Sequence, residues 1–290
     1  MTAPSQTTQE VMADLGRLID ALGQYRAVAI LTGGFVPVMY RKVPRFVEPS
    51  TPSLLTTDFD WTIPTPLDVL GGQSLADRLA DSRFVTIPSI GTEPPVQRFQ
   101  HERFGTRTLA PVHAEFLSPL VGSEVDRKGT SKTVVTVQRG LTAQALRYLD
   151  LLFVEPLHFD AGTVPELGLA APATILLPNP ATYVAQKLLA WPERDPKKRD
   201  KDLAYIHEVA FLTQAVWPEL AVVVTDLKAR FPAPWFKRVS ELTDRLFTSE
   251  TAEGAIAILR QYEGILSSVP SEKAVRKVMV EFLNAVGLAS

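Results

Sequence analysis

The sequence predicts an α+β protein, with a mixed sheet and flanking helices in its first part and helices alone in its second. Up to about residue 178, strand-like and helix-like apolar patterns alternate. From Pro180 to the end, little strand signal remains and apolar residues recur at helical spacing. Pro178-Asn179-Pro180 marks the change. Two domains, 1–178 and 179–290, are therefore expected, each large enough to bury its own core.

The composition restricts the class of protein. Hydrophobic residues make up 46% of the chain and charged residues 21%, which is typical of a globular fold. The formal net charge of −2 gives the whole molecule no general attraction for polyanions. Cysteine is absent, which excludes disulfides, thiolate metal sites and cysteine nucleophiles. The polar N-terminus lacks a signal-peptide pattern, and no apolar run approaches the roughly 20 residues of a membrane span, so we expect a cytoplasmic protein with no membrane partner.

The elements of the first part follow from local patterns. Apolar residues at helical spacing predict a first helix over 7–22, and a second amphipathic helix is predicted over 142–153. Residues 73–81 follow a glycine turn and predict a small helix. The strand candidates are 26–31, 84–87, 96–104, 107–117, 133–137 (as one arm of a hairpin) and 173–177. The helix candidates of the second part are 180–191, 198–215, 218–230, 234–247, 251–265 and 271–287.

A chemically distinctive stretch runs through residues 28–63. Its first apolar run ends in Gly33-Gly34, where the backbone can approach a phosphate closely. Further on, Asp58 and Asp60 alternate with Phe59, so on a strand both carboxylates point to the same face. Their mutual repulsion is relieved by a divalent cation or a shared proton, and oxygen ligands of this kind suit Mg²⁺. From the residues alone, a pair of solvated acids and an ordinary glycine turn are the alternatives.

The order strand, Gly-Gly, helix, then Thr-x-Asp-x-Asp on the next strand resembles the nucleotidyltransferase fold of the DNA polymerase β-like superfamily. It is most similar to the bacterial branch of abortive-infection and toxin-type nucleotidyltransferases. The resemblance implies that Asp58 and Asp60 bind metal, that Gly33 and Gly34 hold phosphates, and that Thr56 is the family's hydroxyl residue. It also implies a third carboxylate on a later strand. Glu115, in the sequence AEFLSPL, fits that position as a metal ligand or general base; a strand glutamate that faces water is the alternative.

A second block of the resemblance lies in the helical part. Tyr183-Val184-Ala185-Gln186-Lys187 precedes a charged run, 193–202, as in the family. By position, Lys187 corresponds to a lysine that reaches the nucleotide phosphates, and Asp202 to an aspartate that supports the site from the next helix. The resemblance further implies that the helical domain completes the nucleotide cleft. From the residue alone, Lys187 could instead extend along the helix surface.

These features predict a metal-dependent nucleotidyltransferase that uses Mg²⁺, or Mn²⁺ in its place. The expected substrates are an NTP, such as ATP, and an acceptor hydroxyl on RNA such as tRNA, on a protein or on a small molecule. The toxin-like branch adds a partner or antitoxin protein to the expectations. The alternative is a nucleotide-binding or interaction module that keeps the fold without turnover. No GxxxxGK[ST], GxSxG, HExxH or GxGxxG motif points to another chemistry.

Overall fold

In the computed structural model, the chain folds into two compact units. The described residues are 6–47, 53–54, 56, 58–87, 97–102, 112–124, 133–247, 253–263, 265–266 and 269–289. The first unit consists of Met1–Val36 and Leu55–Pro178, and the second of Pro37–Leu54 and Asn179–Ser290. The second unit therefore takes in residues 37–54 besides the helical part of the sequence.

Nine strands, counted over the described part of the first unit, form one mixed sheet. They are β1 (Ile30–Thr32), β2 (Asp58–Thr62), β3 (Phe84–Ile87), β4 (Arg98–His101), β5 (His113–Pro119), β6 (Val134–Gln138), β7 (Leu141–Leu146), β8 (Leu157–Asp160) and β9 (Thr174–Leu177). The order is β3-β4-β5-β2-β1-β9-β8, and β7 pairs with both β5 and β6. The strands β1–β9, β2–β5 and β5–β7 run parallel, and the other pairs are antiparallel. The predicted α+β class with a mixed sheet is confirmed.

Two α-helices lie wholly within the described part of the first unit. Helix α1 (Gln6–Leu22) buries Leu15, Leu18 and Ile19 completely, as its helical spacing predicts. The other, α3 (Leu75–Asp81), is capped by Ser74, whose side chain accepts a hydrogen bond from the backbone N–H of Asp77. Between α1 and α3 in the sequence is the short helix α2 (Val36–Tyr40), within which the chain passes from the first unit to the second.

The second unit is helical. Its long helices are α4 (Pro180–Ala190), α5 (Pro196–Leu212), α6 (Trp217–Arg230), α7 (Ala233–Phe247), α8 (Glu253–Tyr262) and α9 (Glu272–Ala285). Helix α4 begins where the sequence changes character, because Asn179 accepts a hydrogen bond from the Ala181 N–H and Pro180 occupies the first helical position. All six elements agree with the predicted helices to within a few residues. Among the described residues, no single helix is both long and apolar enough to cross a membrane.

Residues 37–54 join the helical unit through a buried ion pair and hydrogen bonds to α5. Arg41 lies 2.6 Å from Oε1 of Glu208, which also accepts a hydrogen bond from Ser53 at 3.1 Å. The backbone N–H of Val47 donates to the carbonyl of Leu212 at 2.8 Å. The sequence boundary near residue 178 gives no sign of these contacts, since they join segments more than 150 residues apart.

The predicted helix over 142–153 is wrong. Residues 141–146 form strand β7, in which Leu141, Ala143 and Ala145 are buried at every second position. Tyr148 then has a φ of 67°, which no helix continues through, and a short 3-10 turn follows over Leu149–Phe153. The apolar spacing over 142–153 therefore spans two separate elements, strand β7 and the 3-10 turn. Strand β8 was not predicted.

Candidate active site

Strands β2 and β5 place three acidic residues on one face of the sheet, here called the acidic face and defined by Asp58, Asp60 and Glu115. The two strands pair in parallel, with Asp60 opposite Glu115 and Asp58 opposite His113. The intervening Phe59 and Ala114 are buried on the other face. Asp58 is exposed, whereas Asp60 and Glu115 are half-buried. The strand register therefore makes Asp60 and Glu115 direct neighbours, although they are far apart in sequence.

Gly33 forms the edge of the acidic face at the end of β1. Thr32 pairs with Asp60 across the antiparallel strands, and Gly33 follows with a φ of +70°. A Cβ atom on Gly33 would lie 2.0 Å from Oδ2 of Asp60, so the carboxylate packs directly on the glycine backbone. Gly33 is therefore required both by its backbone conformation and by this close approach. Gly34 lies beside it in a 3-10 turn and is half-exposed.

Thr56 lies just ahead of the acidic strand. Its hydroxyl accepts a long hydrogen bond from the backbone N–H of Asp58, at 3.4 Å. This contact stabilises the start of β2 and leaves the Thr56 side chain half-exposed.

Glu115 makes an ion pair with Arg98 of β4. The two residues are opposite each other in the antiparallel β4–β5 pair, and Nε of Arg98 lies 2.5 Å from Oε1 of Glu115. Nε makes no hydrogen bond of good geometry, so the contact is an attraction between charges. The Glu115 side chain is 14% exposed and that of Arg98 is 39% exposed. One row of the sheet thus runs Thr32, Asp60, Glu115, Arg98.

The donor set fits Mg²⁺ through Asp58 and Asp60. Such sites take one or two carboxylates and fill the remaining positions with water and phosphate oxygens. Among the described side chains, no group of three His, Asp or Glu residues comes close enough together to hold a metal ion. Glu115 forms an ion pair with Arg98 beside the acidic face. His113 adds a buried Nδ1 that finds no hydrogen-bond partner in the described part of the chain.

Lys187 and Asp202 lie together in the second unit. Nζ of Lys187 is 2.6 Å from Oδ1 of Asp202, and Arg194 Nε donates to Oδ2 at 2.9 Å. The Lys187 side chain is only 7% exposed, and its ammonium lies 5.3 Å from the Tyr183 ring centroid and 5.5 Å from that of Tyr205. Burial alone would raise the pKa of Asp202, but the two cations outweigh it and lower the pKa. Asp202 is therefore an ionised anchor for two basic side chains.

The basic residues that follow the Gly-Gly turn are already paired. Arg41 binds the buried Glu208, and Arg45 lies 2.8 Å from Glu219. Both pairs belong to the second unit. These two cations consequently stabilise the helical unit in this structure.

Sequence reasoning missed Arg98 and Arg194. Arg98 lies within the strand predicted over 96–104, but no sequence motif marks it as a site residue. The ion pair of Arg98 with Glu115 could not be predicted from the sequence, because it depends on the pairing of β4 with β5. Arg194 lies in the charged run 193–202, and in the structure it shares the Asp202 carboxylate with Lys187.

The chain is similar to known nucleotidyltransferases in sequence and to a nucleotidyltransferase-like protein in structure. A family model described as Nucleotidyltransferase matches residues 10–227, which is more than half of the chain. A crystal structure of an antigenic nucleotidyltransferase-like protein from Paracoccidioides brasiliensis is similar over 79% of this chain and 90% of that chain, with 15% identity and a TM-score of 0.39. Among curated protein sequences, no significant match was found.

Proposed function

This chain belongs to a nucleotidyltransferase family, and we propose that it moves a nucleoside monophosphate from an NTP to an acceptor hydroxyl, with metal dependence and release of pyrophosphate. The observation that carries the proposal is the acidic face itself. Asp60 and Glu115 are neighbours on parallel strands, Asp58 shares their face, and Gly33 brings backbone against Asp60. Carboxylates gathered beside a glycine corner suit a cation and a triphosphate.

The proposed reaction is an in-line displacement at the α-phosphorus. The acceptor oxygen forms a bond to this atom, the bond to the bridging oxygen of pyrophosphate breaks, and the acceptor proton passes to a carboxylate of the acidic face. In phosphoryl-type transfer the protein mainly positions groups and neutralises charge. Asp58 and Asp60 would hold Mg²⁺ or Mn²⁺, with Glu115 as a third ligand or as the base. Bound metal supplies charge neutralisation on the phosphate oxygens.

Nucleotide binding is proposed for both units. In the first, Gly33 and Gly34 offer backbone N–H groups to phosphate oxygens, and Thr56 offers a half-exposed hydroxyl nearby in sequence to Asp58. In the second, Lys187 supplies a positive charge fixed by Asp202. Asp202 acts there as a positioning residue, because its carboxylate holds the ammonium in place.

The finer parts of the proposal concern the acceptor and the branch of the family. RNA such as tRNA is our first choice of acceptor, with a protein or small-molecule hydroxyl next. Assignment to the abortive-infection and toxin-type branch, with a neutralising antitoxin partner, rests on the sequence motifs. A cytoplasmic location, where NTPs are made, fits this chemistry.

The test is transfer of label from α-labelled NTPs into fractions of a cell lysate. Wild-type protein should label one class of acceptor in the presence of Mg²⁺. Asp58→Asn should abolish this transfer, because an amide cannot replace the lost charge on the acidic face. Asp68→Asn is the matched control, since Asp68 is also an exposed aspartate of the first unit and lies outside the acidic face. Equal transfer by both variants would contradict the assignment.

One observation favours the alternative of a binding module without turnover. Glu115 is paired with Arg98, and no three described acids or histidines form a metal group. A module of this kind would bind NTPs and shift its melting temperature, yet transfer no label to any lysate fraction.

A further inference from the structure

Arg98 lies beside Glu115, where its positive charge offsets the repulsion among the carboxylates of the acidic face. We propose that Arg98 is a positioning residue of the metal site: its guanidinium is the counter-ion of Glu115 in the metal-free protein, and Glu115 joins Asp58 and Asp60 only when this ion pair opens. The inference rests on the proposed function, because it concerns the same three carboxylates. It adds a residue to those that the sequence motifs name.

The geometry gives Arg98 a fixed relation to Glu115. The two are cross-strand partners in the β4–β5 pair, and Asp60 is the partner of Glu115 on the other side, across β2–β5. Glu115 therefore stands between an anion and a cation on adjacent strands. The ion pair at 2.5 Å shows which neighbour its carboxylate contacts.

Charge explains why this arrangement is needed. Three carboxylates on one face repel one another, and a nearby cation reduces this repulsion. The guanidinium of Arg98 supplies such a cation beside Glu115. The Glu115 side chain is mostly buried, at 14% exposed, so its interaction with Arg98 is less screened than a surface pair.

The same charges make metal and Arg98 competitors. A divalent cation bound to Glu115 would stand next to the guanidinium, and two positive charges at that distance repel. Arg98 is 39% exposed, so its side chain has solvent into which it can withdraw. Once the ion pair opens, the Arg98 guanidinium is available at the edge of the acidic face to attract the phosphates of an NTP.

The experiment is a titration of the full-length protein with Mn²⁺ alone, followed by calorimetry, for the wild type, Arg98→Gln, Glu115→Gln and the double variant. Removing the competitor should tighten Mn²⁺ binding roughly three- to tenfold in Arg98→Gln, the size expected for a partly screened ion pair. In the Glu115→Gln background the same Arg98 change should leave Mn²⁺ affinity nearly unaltered, because the competition has no target.

Two further variants serve as checks. Arg98→Lys keeps the charge and should bind Mn²⁺ about as the wild type does, which also provides a folded comparison if Arg98→Gln is unstable. Arg147→Gln removes an arginine of the same unit that is about as exposed as Arg98, at 44% against 39%, and that pairs with Glu124 outside the acidic face; it should leave Mn²⁺ affinity unchanged.

Three results would overturn the proposal. Unchanged or weaker Mn²⁺ binding by Arg98→Gln contradicts competition directly. Tighter binding by the same factor with and without Glu115 shows that Arg98 acts by distant charge, without holding Glu115. Absence of Mn²⁺ binding to the wild type removes both this proposal and the metal dependence of the proposed function, whereas either of the first two results removes this proposal alone.

Discussion

At Gly33, the carboxylate of Asp60 occupies the space that any larger side chain would need. Gly33→Ala should therefore cost more than the backbone strain of about 1 kcal/mol that a positive φ imposes. The added methyl group would lie 2.0 Å from Oδ2 of Asp60 and must push this carboxylate out of the acidic face. We expect loss of nucleotidyl transfer by at least about tenfold, measured with α-labelled NTP, since small displacements of catalytic groups have effects of this size or larger.

The control for this prediction is Gly72→Ala. Gly72 has a similarly positive φ of +75°, but in the part of the chain that the structure describes no atom beyond its own chain neighbours lies within 4 Å of a Cβ placed there. Its substitution should show the backbone cost in a thermal melt and leave transfer unchanged. If Gly33→Ala transferred label as well as Gly72→Ala does, the close packing of Asp60 on Gly33 would have no part in the reaction.

His207 makes a second residue-scale prediction, on pH. Burial lowers the pKa of His207 to about 4, and its Nδ1 lies 2.8 Å from the hydroxyl of Tyr262. Because the unfolded chain binds a proton at a pKa near 6.5 and the folded protein does not, this residue makes stability fall as pH drops below about 6.5. Between pH 7.5 and 5 the loss should be about 2 kcal/mol, and His207→Asn, which cannot be protonated, should not show that loss.

Urea unfolding at the two pH values measures this difference. The lowered pKa of Asp202 acts in the same direction at more acidic pH, whereas the pKa of Glu208, which burial raises, acts in the opposite direction. The comparison of wild type with His207→Asn isolates the histidine because both carboxylates are common to the two proteins. Parallel pH profiles for the two would show that His207 is not buried as a neutral side chain.

At the scale of elements, a buried ion pair attaches residues 37–54 to helix α5. Arg41 and Glu208 are 15% and 6% exposed, so Glu208→Gln leaves the Arg41 charge buried without its partner. We expect a loss of about 3 kcal/mol or more in the free energy of unfolding. The Arg45–Glu219 pair, at 49% and 63% exposed, is the matched control, and Glu219→Gln should cost less than about 1 kcal/mol. Similar losses in the two variants would show that burial does not govern this attachment.

The elements also show how far the sequence alone could lead. The helices of the second unit were predictable because their caps and apolar spacing are local, as at Asn179 for α4. The region 141–153 was assigned to a helix because its apolar spacing also fits one, whereas residues 141–146 form β7 through pairing with β5 and with β6, the preceding arm of a hairpin. Asp58 and Asp60 could be placed on one face from alternation alone. The neighbour relation of Asp60 to Glu115, and of Glu115 to Arg98, needed the strand order.

At the scale of the whole molecule, the family match continues past the boundary between the units, to residue 227. The family model therefore covers residues of both units. Binding of a cognate NTP to the native state should raise its stability by mass action, by about 2.7 kcal/mol at a ligand concentration of 100 times Kd. A thermal-shift series with Mg²⁺ and each NTP measures this and identifies the preferred base.

The control for the series is Asp60→Asn, which should lose the part of the shift that requires Mg²⁺. A shift that is equal for all four NTPs, independent of Mg²⁺ and unchanged in Asp60→Asn would place nucleotide binding away from the acidic face. That result would favour general binding of polyphosphate anions.

The most direct measurement compares α-labelled with γ-labelled NTP in the same transfer reaction, with wild type and Asp60→Asn side by side. If the acidic face supports nucleotidyl transfer, the α label moves to the acceptor, the γ label leaves with pyrophosphate, and Asp60→Asn does neither. Movement of the γ label to the acceptor, or full transfer by Asp60→Asn, would contradict the account.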